Sequence, residues 1–232
     1  MDHITGRILR ALAQAGAFSS GAILIGTHAY AIYGAMLGRK LAVANVRTGD
    51  IDFAAVSVAI ENPVSFADII KSVDPKFFVV PPAPGSRITT KLKLQRSEYR
   101  VELLTPGAPG ATRPVVIPNL KFGAAPVPYL GYLIRESLDA VAPVDVGIRV
   151  KVPPPARFAL HKLVVAQERG SAAAAKRAKD LAQSSELIAI LREMDPATLS
   201  EAWRDLERHG EAYRRRALRS LAALGLGVGD IS

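Results

Sequence analysis

Asp50 and Asp52 flank one apolar residue in the stretch Thr48-Gly49-Asp50-Ile51-Asp52-Phe53. Successive side chains on a strand point to opposite faces, so both carboxylates would share one face while Ile51 and Phe53 fill the other. Two carboxylates held this close repel each other unless a cation or a shared proton lies between them. Mg2+ is a hard cation that takes carboxylate and phosphate oxygens, which makes metal-assisted phosphate chemistry one reading of the triplet. A solvated strand end is the other, because Asp-x-Asp is short enough to arise by chance.

Two further stretches weigh toward chemistry. Upstream, Ala22-Ile23-Leu24-Ile25 runs into Gly26-Thr27 and then into His28-Ala29-Tyr30-Ala31-Ile32-Tyr33. This reads as a short apolar strand, a tight glycine turn and a helix. Glycine permits close backbone approach, and a helix N-terminus offers N–H groups to a phosphate. Downstream, Tyr99 to Leu104 alternates: Tyr99, Val101 and Leu103 make the apolar face and Glu102 lies on the polar one.

The elements that must position these groups follow from periodicity. Ile4, Ile8, Leu9 and Leu12 form one stripe of a helix over residues 4–15. A largely buried helix is expected over 28–38, closed by Gly38. Residues 39–49 form a loop in which Arg39, Lys40 and Arg47 either meet phosphate oxygens or remain solvated. Pro63 suits the first turn of a helix over 63–73 with the stripe Phe66, Ile69, Ile70 and Val73. Phe77 to Val80 reads as a buried strand. Ile88 to Leu94 and Tyr99 to Leu104 are joined closely enough to form a β-hairpin. If its apolar faces align, Lys91 and Lys93 share a face with Glu102, where they either contact phosphate or are solvated. The Pro- and Gly-rich residues 105–128 are expected to form one long loop, usually a functional or mobile feature. Tyr129 to Leu138 is ambiguous, and Val146 to Val152 reads as a strand.

After Pro153-Pro154-Pro155 the pattern is helical. Four helices are expected: one carrying Phe158 to Val165, one over 171–191, one from Pro196 to about His209-Gly210, and one over 211–225. The expected organisation is therefore a mixed-sheet domain over 1–152 and a helical domain over 153–232. No internal repeat is visible.

With 232 residues, 49% of them hydrophobic, and a mean hydropathy of +0.18, the chain can bury a sizeable core. It has no cysteine, which excludes disulfides and thiol chemistry. The first residues do not read as a signal peptide. No apolar run reaches the roughly 18 residues of a membrane span, so a cytoplasmic location is expected. The net charge of +9 and pI of about 10.0 suit a polyanionic partner, and equally a soluble basic protein. The four histidines lack metal-ligand spacing, and His28 reads as a helix-start residue.

Ile25-Gly26-Thr27, Asp50-Ile51-Asp52 and Val101-Glu102-Leu103 together resemble the DNA polymerase beta-type nucleotidyltransferase superfamily. Its pattern is an apolar residue, Gly and then Gly or Ser, later two acids around an apolar residue, and later a third acid. Thr27 stands in the Gly or Ser position and keeps a hydroxyl. Pro154 to Leu163 and Lys176-Arg177-Ala178-Lys179-Asp180-Leu181 look like the region after the sheet in bacterial nucleotidyltransferase-like proteins, including toxins of abortive-infection and toxin–antitoxin loci. In those proteins a Lys and a Lys-Asp pair on adjacent helices face the nucleotide. The resemblance covers roughly residues 20–192. Lys176 with Asp180, and Arg157 beside His161, are also open to reading as helix-surface pairs.

The resemblance implies an α+β nucleotidyltransferase-type mixed sheet flanked by helices, followed by a helical bundle. It implies metal-dependent transfer of an NMP from an NTP such as ATP to a hydroxyl on an RNA 3′ end, a protein or a small molecule. Asp50, Asp52 and Glu102 would be catalytic and would hold Mg2+ or Mn2+. Gly26, Thr27, Arg47, Lys91, Lys162, Lys179 and Asp180 would bind nucleotide. Possible partners are tRNA or other nucleic acid and an antitoxin protein. The alternative is a non-catalytic fold that binds nucleotide or nucleic acid.

Overall fold

The computed structural model describes residues 1–42, 49–56 and 62–231. Arg47, expected at the nucleotide, lies outside the described residues. The chain divides into two compact units. The described parts of the first are residues 1–40, 49–56, 62–131 and 137–152; the second takes 41–42, 132–136 and 153–231.

In the first unit, α1 (His3–Gln14) is capped by Asp2, whose carboxylate accepts from the Thr5 N–H at 3.0 Å. β1 (Ala22–Leu24) leads into α2 (Gly26–Met36), and β2 (Asp50–Ala55) follows. Next is α3 (Phe66–Val73), shorter at its start than the expected 63–73 helix. Ser65 is its N-cap, accepting from the Asp68 N–H at 3.3 Å, so Pro63 precedes the helix. β3 (Phe77–Val79), β4 (Lys91–Leu94) and β5 (Arg100–Pro106) complete the central strands.

The Pro- and Gly-rich stretch is not one loop. It contains β6 (Val115–Ile117), a 3-10 turn at Pro118–Leu120 and β7 (Phe122–Val127). Gly123 makes β7 possible: a Cβ there would collide with the Thr89 carbonyl, so only glycine lets the strand run this close. The ambiguous stretch resolves into α4 (Leu130–Ile134) and the start of β8 (Leu138–Ala142), which pairs antiparallel with β9 (Ile148–Val152).

The main sheet runs β1-β2-β5-β4-β3, with β7 also on β5 and β6 on β7. β2 and β5 are parallel; β1–β2, β3–β4 and β4–β5 are antiparallel, so the sheet is mixed. One face is the core. Ile51, Phe53, Leu92, Val101 and Leu103 are buried there. A run of rings, Phe18–Phe53–Phe66–Phe122, spans it at centroid separations of 6.3, 5.5 and 5.8 Å.

The second unit is a bundle of α5 (Pro155–Ala166), α6 (Ala174–Met194), α7 (Pro196–Arg208) and α8 (Glu211–Ala223). α5 is buried on nearly every side because α6, α7 and α8 all pack on it. Its cations are therefore buried and must be paired. Arg157 meets Asp205 at 2.6 Å and Glu136 at 2.8 Å, and its guanidinium lies 5.2 Å over the Tyr132 ring. Tyr132 in turn donates to the Ala202 carbonyl at 2.9 Å. These bonds tie the 132–136 segment into the bundle, so Arg157 is a buried structural cation and not a helix-surface partner of His161. Among the described residues no helix is long and apolar enough to cross a membrane.

Candidate active site

The strand parity read from the sequence appears directly in burial. Asp50 and Asp52 are half-buried while Ile51 and Phe53 are fully buried; Glu102 is half-buried between buried Val101 and Leu103. Parallel pairing sets Asp50 beside Arg100 and Asp52 beside Glu102. On the other side of β5, antiparallel pairing sets Lys91 beside Glu102 and Lys93 beside Arg100. Two rows thus cross the polar face: Asp50–Arg100–Lys93 and Asp52–Glu102–Lys91.

The start of α2 is fastened to the acid-bearing strand. The Ile25 N–H donates to the Asp52 carbonyl at 3.0 Å. Gly26 then opens the helix at φ +67°, and a Cβ on it would stand 3.1 Å from Asp52 Oδ2. Glycine is required twice over here, for the left-handed backbone and for the approach to the carboxylate. The cap residue is Ile25, which supplies no side-chain acceptor to the first turn of the helix. That end carries the positive pole of the helix dipole and suits an anion. His28, in the same turn, is buried and its Nε2 lies 3.3 Å from Thr5 Oγ1.

Electrostatics tie the three acids together. Burial pushes the Glu102 carboxyl above its usual range; Lys91 opposes the rise, and the charges of Asp52 and Asp50 add to it. Lys91 Nζ lies 3.2 Å from Glu102 Oε1, and Arg100 Nε lies 3.1 Å from Asp50 Oδ1. Arg100 is a site residue that the sequence reading missed. Its signal was available, because it stands two residues before Glu102 and so shares its face.

The donor set fits Mg2+ or Mn2+ in kind: carboxylate oxygens only, on neighbouring strands, beside a helix start that suits phosphate. Among the described residues, however, no three acidic or imidazole side chains gather closely enough to chelate an ion as they stand. Lys91 and Arg100 supply the counter-charge instead.

Lys162, Lys179 and Asp180 belong to the second unit. Asp180 is 1% exposed and receives Lys162 Nζ at 2.5 Å on one oxygen and Arg169 Nε at 3.1 Å on the other. Burial lowers the Lys179 ammonium's pKa; Lys162, Lys176 and Arg169 add to this and Asp180 opposes it. Asp180 is thus paired with Lys162 and Arg169 and not with Lys176 one helical turn away. Arg169 follows α5 in a non-helical connection, where no periodicity could have singled it out.

The sheet face thus carries paired acids beside a glycine-opened helix start that suits an anion. The chain belongs to the nucleotidyltransferase family, whose model, described as "Nucleotidyltransferase", matches residues 3–207. Among solved structures, it is similar to an antigenic nucleotidyltransferase-like protein from Paracoccidioides brasiliensis. That match has 15% identity and a TM-score of 0.45, and covers 91% of each chain. It is also similar to the antibiotic-resistance factor ANT(2'')-Ia in its solution structure, at 11% identity and a TM-score of 0.43, over 90% of this chain and 98% of that one. No curated protein matches the chain significantly.

Proposed function

We propose that this chain transfers an NMP from an NTP to a hydroxyl acceptor with the help of Mg2+ or Mn2+, in the manner of the DNA polymerase beta-type enzymes. The observation that carries the reading is the pairing of Asp52 with Glu102 on parallel strands, immediately beside the Gly26 backbone at the start of α2. In the reaction the acceptor oxygen bonds to the α-phosphorus. The bond to pyrophosphate breaks, pyrophosphate keeps the electron pair, and the hydroxyl proton leaves to solvent. Asp50, Asp52 and Glu102 are the residues that would hold the metal. When bound, it would supply a lowered hydroxyl pKa and neutralise charge on the leaving pyrophosphate. Gly26 and Thr27 would present the helix N-terminus to the phosphates at close range. Lys91 and Arg100 hold Glu102 and Asp50 in place until substrate arrives. Most of the protein's contribution is positioning and charge complementarity.

The role of Lys162, Lys179 and Asp180 in nucleotide binding rests on the resemblance to toxin-type nucleotidyltransferases. A tRNA or protein acceptor and an antitoxin partner rest on the same ground.

One observation favours a second reading, a non-catalytic nucleotide-binding fold: two of the three acids already carry internal counter-ions. The deciding experiment incubates the protein with α-labelled NTPs, Mg2+ or Mn2+ and cell extract, with melting curves recorded in parallel. Label transfer that needs the divalent ion supports the enzyme. A chain whose melting curve moves with NTP but which transfers no label to any acceptor would be the binding fold.

A further inference from the structure

The polar face of the first unit's sheet continues past the acids. Cross-strand pairing extends the first row to Asp50–Arg100–Lys93–Phe78. Two members of that row have no part in the transfer chemistry. Lys93 stands directly opposite Arg100, and like charges at directly opposed positions weaken an antiparallel pair. Arg100 is answered by Asp50, whereas Lys93 has no acid within ion-pair reach among the described residues.

Phe78 is the other. A wholly buried strand was expected here, but β3 alternates: Phe77 is buried and Phe78 turns its ring outward, 39% exposed. An unanswered cation directly beside an outward aromatic ring is the pairing that a single-stranded nucleic acid calls for. The cation neutralises a phosphate and releases counter-ions. The ring offers a stacking surface to a base of any sequence.

The order of the strands gives this surface a direction. The start of α2 lies on the β1 side of the acids, while Arg100, Lys93 and Phe78 lie in sequence on the β5, β4 and β3 side. Strands are about 4.8 Å apart, so β2 to β3 spans about 14 Å, the reach of a few nucleotides. A nucleotide at Gly26–Thr27 and an anionic strand on Lys93 and Phe78 approach the acids from opposite sides, as donor and acceptor must.

The geometry points to a single-stranded oligonucleotide as the acceptor, lying across β5, β4 and β3 with a phosphate at Lys93 and a base on Phe78. This rests on the transfer reading of the same sheet face.

The test uses the full chain and labelled single-stranded oligomers of about twelve nucleotides, within the usual site size, one of RNA and one of DNA. Binding is followed by fluorescence anisotropy at low and at physiological salt. The same samples are melted with and without NTP. Phe78→Ala should weaken binding about tenfold at either salt. Lys93→Glu should weaken it by a similar factor at low salt and less at high salt. Both variants should keep the NTP-induced rise in melting temperature, which reports the α2 side of the acids. The better-bound oligomer identifies the sugar. If Phe78→Ala does not fold, Lys93→Glu alone decides. Wild-type protein that binds neither oligomer at low salt, or folded variants that bind as well as wild type, would overturn the proposal and leave a protein or small-molecule acceptor. Failure of the transfer reading looks different: no NTP would move the melting curve, whatever the oligomer does.

Discussion

Asp52 and Glu102 are direct register partners on the parallel strands β2 and β5, and the residue facing Glu102 from the far side is Lys91. Glu102 thus stands between a like charge on one side and the Lys91 ammonium, 3.2 Å away, on the other. Asp52 contributes to the rise in the Glu102 carboxyl's pKa, after burial. Charge at this position is held against repulsion, which is the usual signature of a functional arrangement.

Asp52→Asn keeps shape and hydrogen bonding but removes one of the two like charges. The melting temperature should stay level or rise, because repulsion with Glu102 and Asp50 is relieved. Label transfer from α-labelled NTP should fall by roughly a hundredfold or more, the scale of losing one electrostatic stabiliser. Divalent ions should raise the wild-type melting temperature more than that of the variant. A variant that loses stability and keeps transfer would place the chemistry elsewhere.

Gly26→Ala tests the start of α2. The added methyl meets φ +67° and a carboxylate oxygen at 3.1 Å. The left-handed backbone alone should cost about 1–2 kcal/mol in a urea melt. The rise in melting temperature with NTP should shrink as well, since the carboxylate and the helix start are pushed apart. An unchanged NTP response would show that phosphate does not depend on this turn.

Asp180 is buried with Lys162 in the second unit and is also met by the exposed Arg169. Asp180→Ala leaves the Lys162 ammonium buried without this carboxylate and should destabilise by about 3–5 kcal/mol. Lys162→Met should do less harm, because Arg169 still answers Asp180. Equilibrium denaturation of the two variants separates the cases. Equal and small losses would mean that the cluster is effectively solvated.

Asp205 contributes to the pH dependence of stability. Its own burial would raise its pKa, but the hydrogen bond and charge of Arg157, with Arg135 and His209 adding, outweigh this and hold the carboxyl below its usual range. A carboxyl depressed in the folded state stabilises the fold above the unfolded pKa of about 3.9, and that contribution is lost as pH falls through the folded value. Melting temperature should therefore fall as the pH drops below about 5. Asp205→Asn should be less stable at neutral pH and show a shallower acid slope. Parallel acid slopes in the two proteins would contradict the assignment.

Local chemistry made much of the site legible. A period of two puts Asp50 with Asp52, Lys91 with Lys93, and Arg100 with Glu102, whatever else the chain does. Glycine at 26 announces a backbone that other residues resist. The helices after Pro153 follow from a 3.6-residue stripe and from prolines at two helix starts. What stayed hidden depends on partners far away in the chain. Nothing local says that β2 and β5, separated by two strands and a helix, lie side by side and parallel, yet only that places Glu102 next to Asp52. In residues 105–128 the frequent Pro and Gly mask the short apolar run Val115-Val116-Ile117, and β7 forms because β5 pairs with it and Gly123 lets it pass close to the Thr89 backbone. Phe77 and Phe78 are chemically the same; position in the finished sheet buries one and turns the other to solvent. Asp180 could have paired within its own helix, but burial against α5 gave it Lys162 and Arg169 instead. Which groups share a face follows from bond geometry over two or four residues and is readable along the chain. Which faces meet was decided by the tertiary structure, because burial and strand pairing are settled among residues tens of positions apart.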